Sequence, residues 1–147
     1  MKKLFTLLLC GFFCMAVNAF GQKHAERLIG VWQQYQETID DKGNKRMMHL
    51  PVWKVLQSDG QFCTFLIANA SGSCLMTNKG TYEVVGEHVY NEKIEKSIVN
   101  SKLVGKTNPI HFKYEGKDRL VITYQMPGVA HAAVEIWQRV KMSLPRN

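Results

Sequence analysis

The feature that most constrains this fold is the repeated interruption of its hydrophobic pattern. After the N-terminal segment, short runs of alternating apolar and polar residues are broken by turn residues about every ten to fifteen positions. None of these runs repeats apolar residues over a long stretch at the 3.6-residue period of a helix. Short alternating runs with regular turn signals are typical of an antiparallel sandwich or barrel. The sequence therefore predicts an all-β domain.

The alternating runs number about eight. Eight strands joined in a meander can close into a barrel, and closure removes the exposed edges of a sheet. The run at residues 88–98 is the least regular, because neither of its faces is clearly apolar; we interpret it as a strand because its neighbours are strands. We therefore predict a single antiparallel up-and-down β-barrel with a bulge at Gly80. The eight runs cover approximately residues 28–39, 49–57, 61–68, 74–85, 88–98, 102–114, 120–126 and 133–141.

The first 21 residues have the pattern of a cleavable signal peptide. Two lysines follow the first methionine, and residues 4–17 form a short apolar run. A membrane-spanning helix needs about 20 apolar residues, so this run fits a signal sequence better than a transmembrane segment. Cleavage fits after Ala19 or after Gly21, where small or β-branched residues precede the cut. We therefore expect an exported protein, periplasmic or extracellular, with its domain at residues 22–147.

The charge of the exported chain is modest and evenly spread. Without the two N-terminal lysines, 17 Lys and Arg stand against 12 Asp and Glu, a net charge of +5. A nucleic-acid-binding protein concentrates its basic residues in a patch or stripe. Here the basic residues are scattered among acidic ones. We therefore expect no nucleic-acid partner.

Two cysteines, Cys63 and Cys74, remain after signal cleavage. A pair of cysteines in an oxidising compartment can form a disulfide, and buried thiols can also act simply as small hydrophobic groups. A turn centred at residues 69–72 would place Cys74 opposite Ile67 rather than opposite Cys63. The sequence leaves both interpretations open.

Residue types that carry catalysis or bind metals are present, but their spacing forms no recognisable site. The five histidines lack a second ligand at a metal-binding spacing. A glycosidase needs two carboxylates held across a cleft, and no spacing here fixes such a pair. We interpret the strand carboxylates mainly as solvent-facing and expect no enzyme activity, metal site or cofactor. These carboxylates are Glu83, Glu87, Glu92, Glu95 and Glu135.

The first and last strands carry a pair of motifs that would close a barrel. The first strand opens with Gly30-Val31-Trp32, and the last contains Trp137-Gln138-Arg139. This arrangement resembles the lipocalin-like, or calycin, pattern. The resemblance implies that Trp32 lies at the closed end of a barrel with Arg139 packed over its indole, a favourable cation–π geometry. We therefore assign Gly30, Trp32 and Arg139 to barrel closure.

Further segments in a fixed order carry a wider resemblance: Ser58-Asp59-Gly60-Gln61-Phe62, Lys79-Gly80-Thr81-Tyr82-Glu83-Val84, His88-Val89-Tyr90-Asn91-Glu92, Ile94-Glu95-Lys96-Ser97 and Glu135-Ile136-Trp137-Gln138-Arg139-Val140. Together with the closure motifs, they are similar to a Bacteroidetes family of exported lipocalin-like domains of unknown function, DUF4488. The resemblance covers nearly all of the exported chain. It implies a lipocalin-like β-barrel and an exported location, and it implies no activity.

Aromatic residues at alternating strand positions are the candidate ligand contacts. Side chains two residues apart on a strand face the same side, and the opposite faces of the two clearest strands are polar. The interior of an eight-stranded barrel is either filled by side chains or has room for one small ligand. We therefore expect a binding protein for a small hydrophobic or amphipathic molecule. The alternative is a packed barrel that binds a partner or a glycan through its loops. The expected inward residues are Trp53, Phe65, Tyr90, Glu92, Phe112, Tyr114, Ile122 and Tyr124.

Overall fold

The fold is a closed barrel of antiparallel strands, seen in a computed structural model that describes residues 25–143 apart from 69–71 and 127. The predicted signal peptide lies outside these residues. Within them, each of eight strands pairs with the next, and the last pairs with the first. The predicted all-β up-and-down barrel is confirmed. Its strands are β1 Gly30–Ile39, β2 Lys45–Leu56, β3 Gln61–Ala68, β4 Ser73–Gly86, β5 Val89–Ser97, β6 Thr107–Glu115, β7 Arg119–Tyr124 and β8 Ala133–Arg139.

Helical structure is brief in the described part of the chain. One turn of helix covers residues 25–28, and a 3₁₀ helix covers Ser101–Leu103. The Asn100 side chain accepts a hydrogen bond from the Lys102 backbone N–H, which caps the 3₁₀ helix. The prediction of a strand from residue 102 was therefore wrong over its first residues, since β6 begins only at Thr107. None of the helices in the described ranges is long and apolar enough to span a membrane.

Gly80 marks an irregularity in the pairing of β4 with β5. The register shifts between Lys79 and Gly80, as expected for a bulge. A Cβ at position 80 would overlap the backbone carbonyl of Lys93 and press against the ring of Phe62. Only glycine therefore allows the two strands to approach this closely.

The two cysteines are free thiols in the structure. Cys74 pairs with Ile67 across β3 and β4, as predicted from the position of the turn. Cys63 pairs instead with Lys79. The two thiols therefore lie at different positions along the β3–β4 pair and are not cross-strand partners.

The barrel has two ends with different contents. At one end, here called the closed end, residues 25–28 lie near the turn at 116–118, and the Arg27 guanidinium donates a hydrogen bond to the Gly116 carbonyl. The opposite end, here called the mouth, carries the connections 40–44, 98–106 and 128–132. The closed end is filled with buried apolar side chains. Among them are Leu28, Trp32, Leu56, Tyr90, Phe112 and Leu120.

Candidate functional site

The closed end is sealed by contacts between the first and last strands. The guanidinium of Arg139 lies 4.2 Å from the ring centroid of Trp32, the contact expected from the sequence. The fully buried Trp32 indole N–H donates to the Leu28 carbonyl at 2.8 Å. Arg139 also donates to the carbonyls of Ile29, at 2.8 Å, and of Arg27. One side chain therefore joins the N-terminal turn, β1 and β8.

Gly30 has the backbone that this closure requires. Its φ of +143° lies in a region that residues with a side chain rarely adopt. A Cβ at this position would also lie 2.5 Å from Nη1 of Arg139. The guanidinium therefore occupies the space that any other residue at position 30 would fill.

The mouth half of the barrel is not filled. A cavity of about 450 Å³ lies inside the strands and opens towards the mouth. Ligand cavities in proteins commonly measure about 300–1,000 Å³, so a small molecule fits this space. Its walls are mainly apolar, with polar side chains placed between them. The apolar wall includes Val52, Ile94, Leu103, Ile110, Ile122 and Met126.

A buried ion pair lies on the wall of the cavity. Lys54 Nζ donates to Glu92 Oε1 at 2.6 Å, and each side chain is only 8% exposed. The hydroxyl of Tyr90 donates to the same carboxylate oxygen at 3.1 Å. Lys54 Nζ also lies 5.7 and 5.5 Å from the ring centroids of Phe62 and Trp137. Buried charges require such partners, because leaving water is costly for an unpaired ion.

A second carboxylate, that of Glu135, faces the same cavity. It accepts a hydrogen bond from the Tyr124 hydroxyl at 2.7 Å and another from the Trp137 indole N–H at 3.0 Å. Both donors are neutral groups. Burial raises the pKa of Tyr124, and the negative charge of Glu135 raises it further. The phenol therefore remains a protonated donor that holds the carboxylate in place.

The two carboxylates line the same cavity. Burial raises the pKa of Tyr90 well above its ordinary value, and the charges of both Glu92 and Glu135 add to this effect. Lys54 Nζ, which pairs with Glu92, lies 5.5 Å from the ring centroid of Trp137, which donates to Glu135. These side chains therefore form one connected group, here called the polar layer. It consists of Lys54, Tyr90, Glu92, Tyr124, Glu135 and the Trp137 N–H.

A smaller polar group lies on β3 and β4. The side-chain amide of Asn78 donates to Thr64 Oγ1 at 3.0 Å, and the Thr64 and Thr77 hydroxyls are 2.8 Å apart. All three residues line the cavity. Asn78 Oδ1 is buried and has no hydrogen-bond partner among the described residues. These three polar side chains therefore bond to one another at the cavity wall.

Six of the eight expected inward residues do face the interior. Glu92, Ile122 and Tyr124 line the cavity. Tyr90 and Phe112 are buried in the packed core next to it, with ring centroids 5.7 Å apart. Tyr114 is half-buried near the closed end, where the Arg27 guanidinium lies 3.7 Å from its ring centroid. The expected interior therefore separates into residues of the cavity and residues of the core.

Trp53 and Phe65 do not face the interior, so the prediction of their direction was wrong. Both neighbours of Trp53, Val52 and Lys54, line the cavity, and the alternation of a strand therefore directs Trp53 outwards. Phe65 lies between two cavity residues in the same way. The two aromatic residues pair across β2 and β3 on the outer face. Their rings lie outside because the ion-paired Lys54 occupies the inner face of β2.

Sequence reasoning missed several residues of the cavity. Lys54, Thr64 and Asn78 were not expected there, and Glu135 was interpreted as solvent-facing. A signal for Glu135 was available. It lies two and four residues before Trp137 and Arg139, and Arg139 was expected to pack inside the closed end. Since residues of equal parity share a face, Glu135 had to point inwards as well.

The fold and its cavity define the class of this protein: a small closed up-and-down β-barrel with an internal cavity open at its mouth. The sequence matches the family model described as "Domain of unknown function (DUF4488)" over residues 27–146, and the chain belongs to that family. No match was found among curated proteins. The family membership predicted from the sequence is confirmed.

Proposed function

We propose that this protein is an exported, lipocalin-like binding protein that holds one small amphipathic molecule in its barrel and does not catalyse a reaction. The cavity of about 450 Å³ carries this proposal. An apolar wall with a few fixed polar groups is the usual composition of a small-molecule site, because the wall supplies affinity and the polar groups set orientation. The alternative of a filled barrel is not favoured, since the mouth half is open.

The polar groups of the site are held in place before any ligand arrives. Glu92 is fixed by Lys54 and Tyr90, and Glu135 is fixed by Tyr124 and Trp137. Groups that are already ordered lose less conformational entropy when a ligand binds. The polar layer therefore suits a receptor that orients one end of its ligand. Native mass spectrometry of the protein from its own source would reveal such a ligand directly.

Titration with an environment-sensitive apolar dye tests the proposal in solution. The parent protein is expected to bind the dye saturably. Leu66 lines the cavity but is 38% exposed, so Leu66→Trp can place a ring in the open space without crowding the core. We expect this variant to weaken binding by about tenfold or more, which corresponds to about 1.4 kcal/mol.

Val134→Trp is the matched control for this titration. Val134 is 64% exposed and precedes the cavity residue Glu135, so its side chain lies on the outer face. This variant is expected to bind the dye like the parent. The proposal fails if the folded parent shows no saturable binding, or if both tryptophan variants bind as the parent does.

A further inference from the structure

The charges inside the barrel do not balance. The polar layer contains one cation, Lys54, and two carboxylates, Glu92 and Glu135. Lys54 Nζ is held at 2.6 Å from Glu92 in a pair whose members are each 8% exposed. The layer therefore retains the negative charge of one carboxylate after this pair is counted.

Glu135 carries the uncompensated charge. Its two oxygens accept from the Tyr124 hydroxyl and the Trp137 indole N–H, which are both neutral. Of the residues that the structure describes, none forms an ion pair with Glu135. Charge–charge interactions are stronger inside a protein than in water, so a cation placed here would gain more than at the surface. The site therefore favours a positively charged group beside Glu135.

An ammonium group supplies what the present partners of Glu135 lack. It carries three N–H donors, no acceptor and a positive charge. Its chemistry therefore matches the Glu135 carboxylate, whose two donors in the protein are both neutral.

An anionic head group fits the same site poorly. A ligand carboxylate entering the polar layer would approach Glu92 and Glu135, and Lys54 is already paired. Like charges at close range oppose binding. The other cation of the cavity lining, Lys106, is exposed near the mouth, where water screens its charge. The two carboxylates in the interior of the cavity therefore disfavour a ligand with an acidic head group.

We infer that the ligand of this barrel is an amphipathic amine whose ammonium group binds the Glu135 carboxylate and whose apolar part lies along the cavity wall towards the mouth. This inference rests on the proposed function. The wall that would contact the apolar part includes Ile94, Leu103, Ile110 and Met126. The polar layer thus defines the head group, and the wall defines the remainder of the molecule.

Displacement of the apolar dye by three molecules of equal chain length tests the inference. Decylamine, decanol and decanoic acid share one alkyl chain and differ in head-group charge at neutral pH. In the unaltered protein, we expect decylamine to displace the dye at about tenfold lower concentration than decanol, with decanoic acid the weakest. A tenfold preference corresponds to about 1.4 kcal/mol, close to the lower limit of the range for a hydrogen bond to a charged group.

Glu135→Gln should abolish the preference for the amine over the alcohol, because the amide keeps an acceptor oxygen but loses the charge. Glu83→Gln, the same change at an exposed position on β4, should leave it unchanged. Equal displacement by all three molecules, or preference for the acid, would overturn the head-group inference while binding itself stands. Failure of the dye to bind the folded parent would instead overturn the proposed function. If Glu135→Gln does not fold, the order in which the three molecules displace the dye from the unaltered protein still tests the head-group inference.

Discussion

The closed end and the mouth half of this barrel are made from the same strands but differ in the side chains that those strands direct inwards. On β5, the inner face carries the fully buried Tyr90 and then, two residues later, the ion-paired Glu92. On β8, the inner face carries Arg139 at the closed end, then Trp137, then Glu135 at the cavity. Each strand therefore changes from core packing to the polar lining of the cavity within a few residues.

The two halves should differ in what they contribute to stability. The closed end buries large apolar side chains completely, and this burial is the main source of folding free energy. The mouth half has an open cavity and charged side chains inside. Sites of function commonly give up stability in this way. Substitutions of the same kind, made once at the closed end and once outside it, test this difference in stability.

The largest expected effect is the loss of Trp32. Trp32→Ala should lower the free energy of unfolding by about 3–5 kcal/mol, the range for truncating a buried large aromatic side chain. Trp53→Ala makes the same change at a half-buried position on the outer face. It should cost about 1–2 kcal/mol, as is common for less buried sites. Urea unfolding of both variants measures the difference, and equal losses would contradict the special role of the closed end.

A leucine pair compares the interior of the two halves directly. Leu56 in the packed core is 1% exposed, whereas Leu66 at the cavity is 38% exposed. Leu56→Ala should cost about 2–5 kcal/mol, because the cavity it leaves is enclosed by rigid neighbours. Leu66→Ala should cost less than about 1 kcal/mol, because its surroundings are already open. If the two variants unfold at the same urea concentration, the division into a packed half and an open half is wrong.

Alkaline pH should also lower the stability of the fold. Burial raises the pKa of Tyr114 from 10 to about 12 in the folded protein, and burial also raises the pKa of Tyr90 and Tyr124. A raised pKa stabilises the fold below pH 10, where the phenols are protonated in both states. As the pH rises from 10 towards 12, the unfolded chain releases these protons first, so the free energy of unfolding falls.

Phenylalanine variants assign this alkaline loss to the two halves. Tyr90 is fully buried in the core beside Glu92, whereas Tyr124 is only half-buried at the cavity. Despite this difference in burial, Tyr90→Phe and Tyr124→Phe should each remove about 1.4 kcal/mol per pH unit from the loss just above pH 10, the contribution of one proton. Both phenols keep their protons in the folded protein at this pH, so only the unfolded chain titrates. Urea unfolding at a series of alkaline pH values measures both slopes. A variant that loses stability with pH as steeply as the parent would contradict the raised pKa of the phenol that it lacks.

The sequence predicted the directions of side chains where the two faces of a strand differ in polarity. On β6, His111 and Lys113 were expected to face water, so Phe112 and Tyr114 at the alternate positions had to face inwards. The structure agrees, since His111 and Lys113 are exposed. On β2, by contrast, Val52 and Val55 flank Trp53 and Lys54, so both faces contain apolar residues. With no alternation, the size of the indole ring was a poor guide, and Trp53 was assigned to the wrong face.

The polar layer could not be predicted from the alternation of residues along a single strand. A lysine on a strand normally faces water, and Lys54 faces the interior because Glu92 is there to receive its charge. That partner is 38 residues away in sequence and three strands along the barrel. Closure alone brings the two strands across from each other. Pairing of this kind depends on the completed fold, whereas alternation along one strand does not.

The Arg139 contacts also have a consequence for engineering. Because this side chain bonds to the carbonyls of Arg27 and Ile29, the start and the finish of the barrel lie side by side, on the face opposite the mouth. A fluorescent reporter or an immobilising tether joined before residue 25 or after Lys141, which pairs with Asp118 at the closed end, would therefore attach away from the mouth. A short linker between these two positions, with new termini opened in the turn at residues 40–44, would give a circular permutant. Such a molecule would have its termini at the mouth end of the barrel.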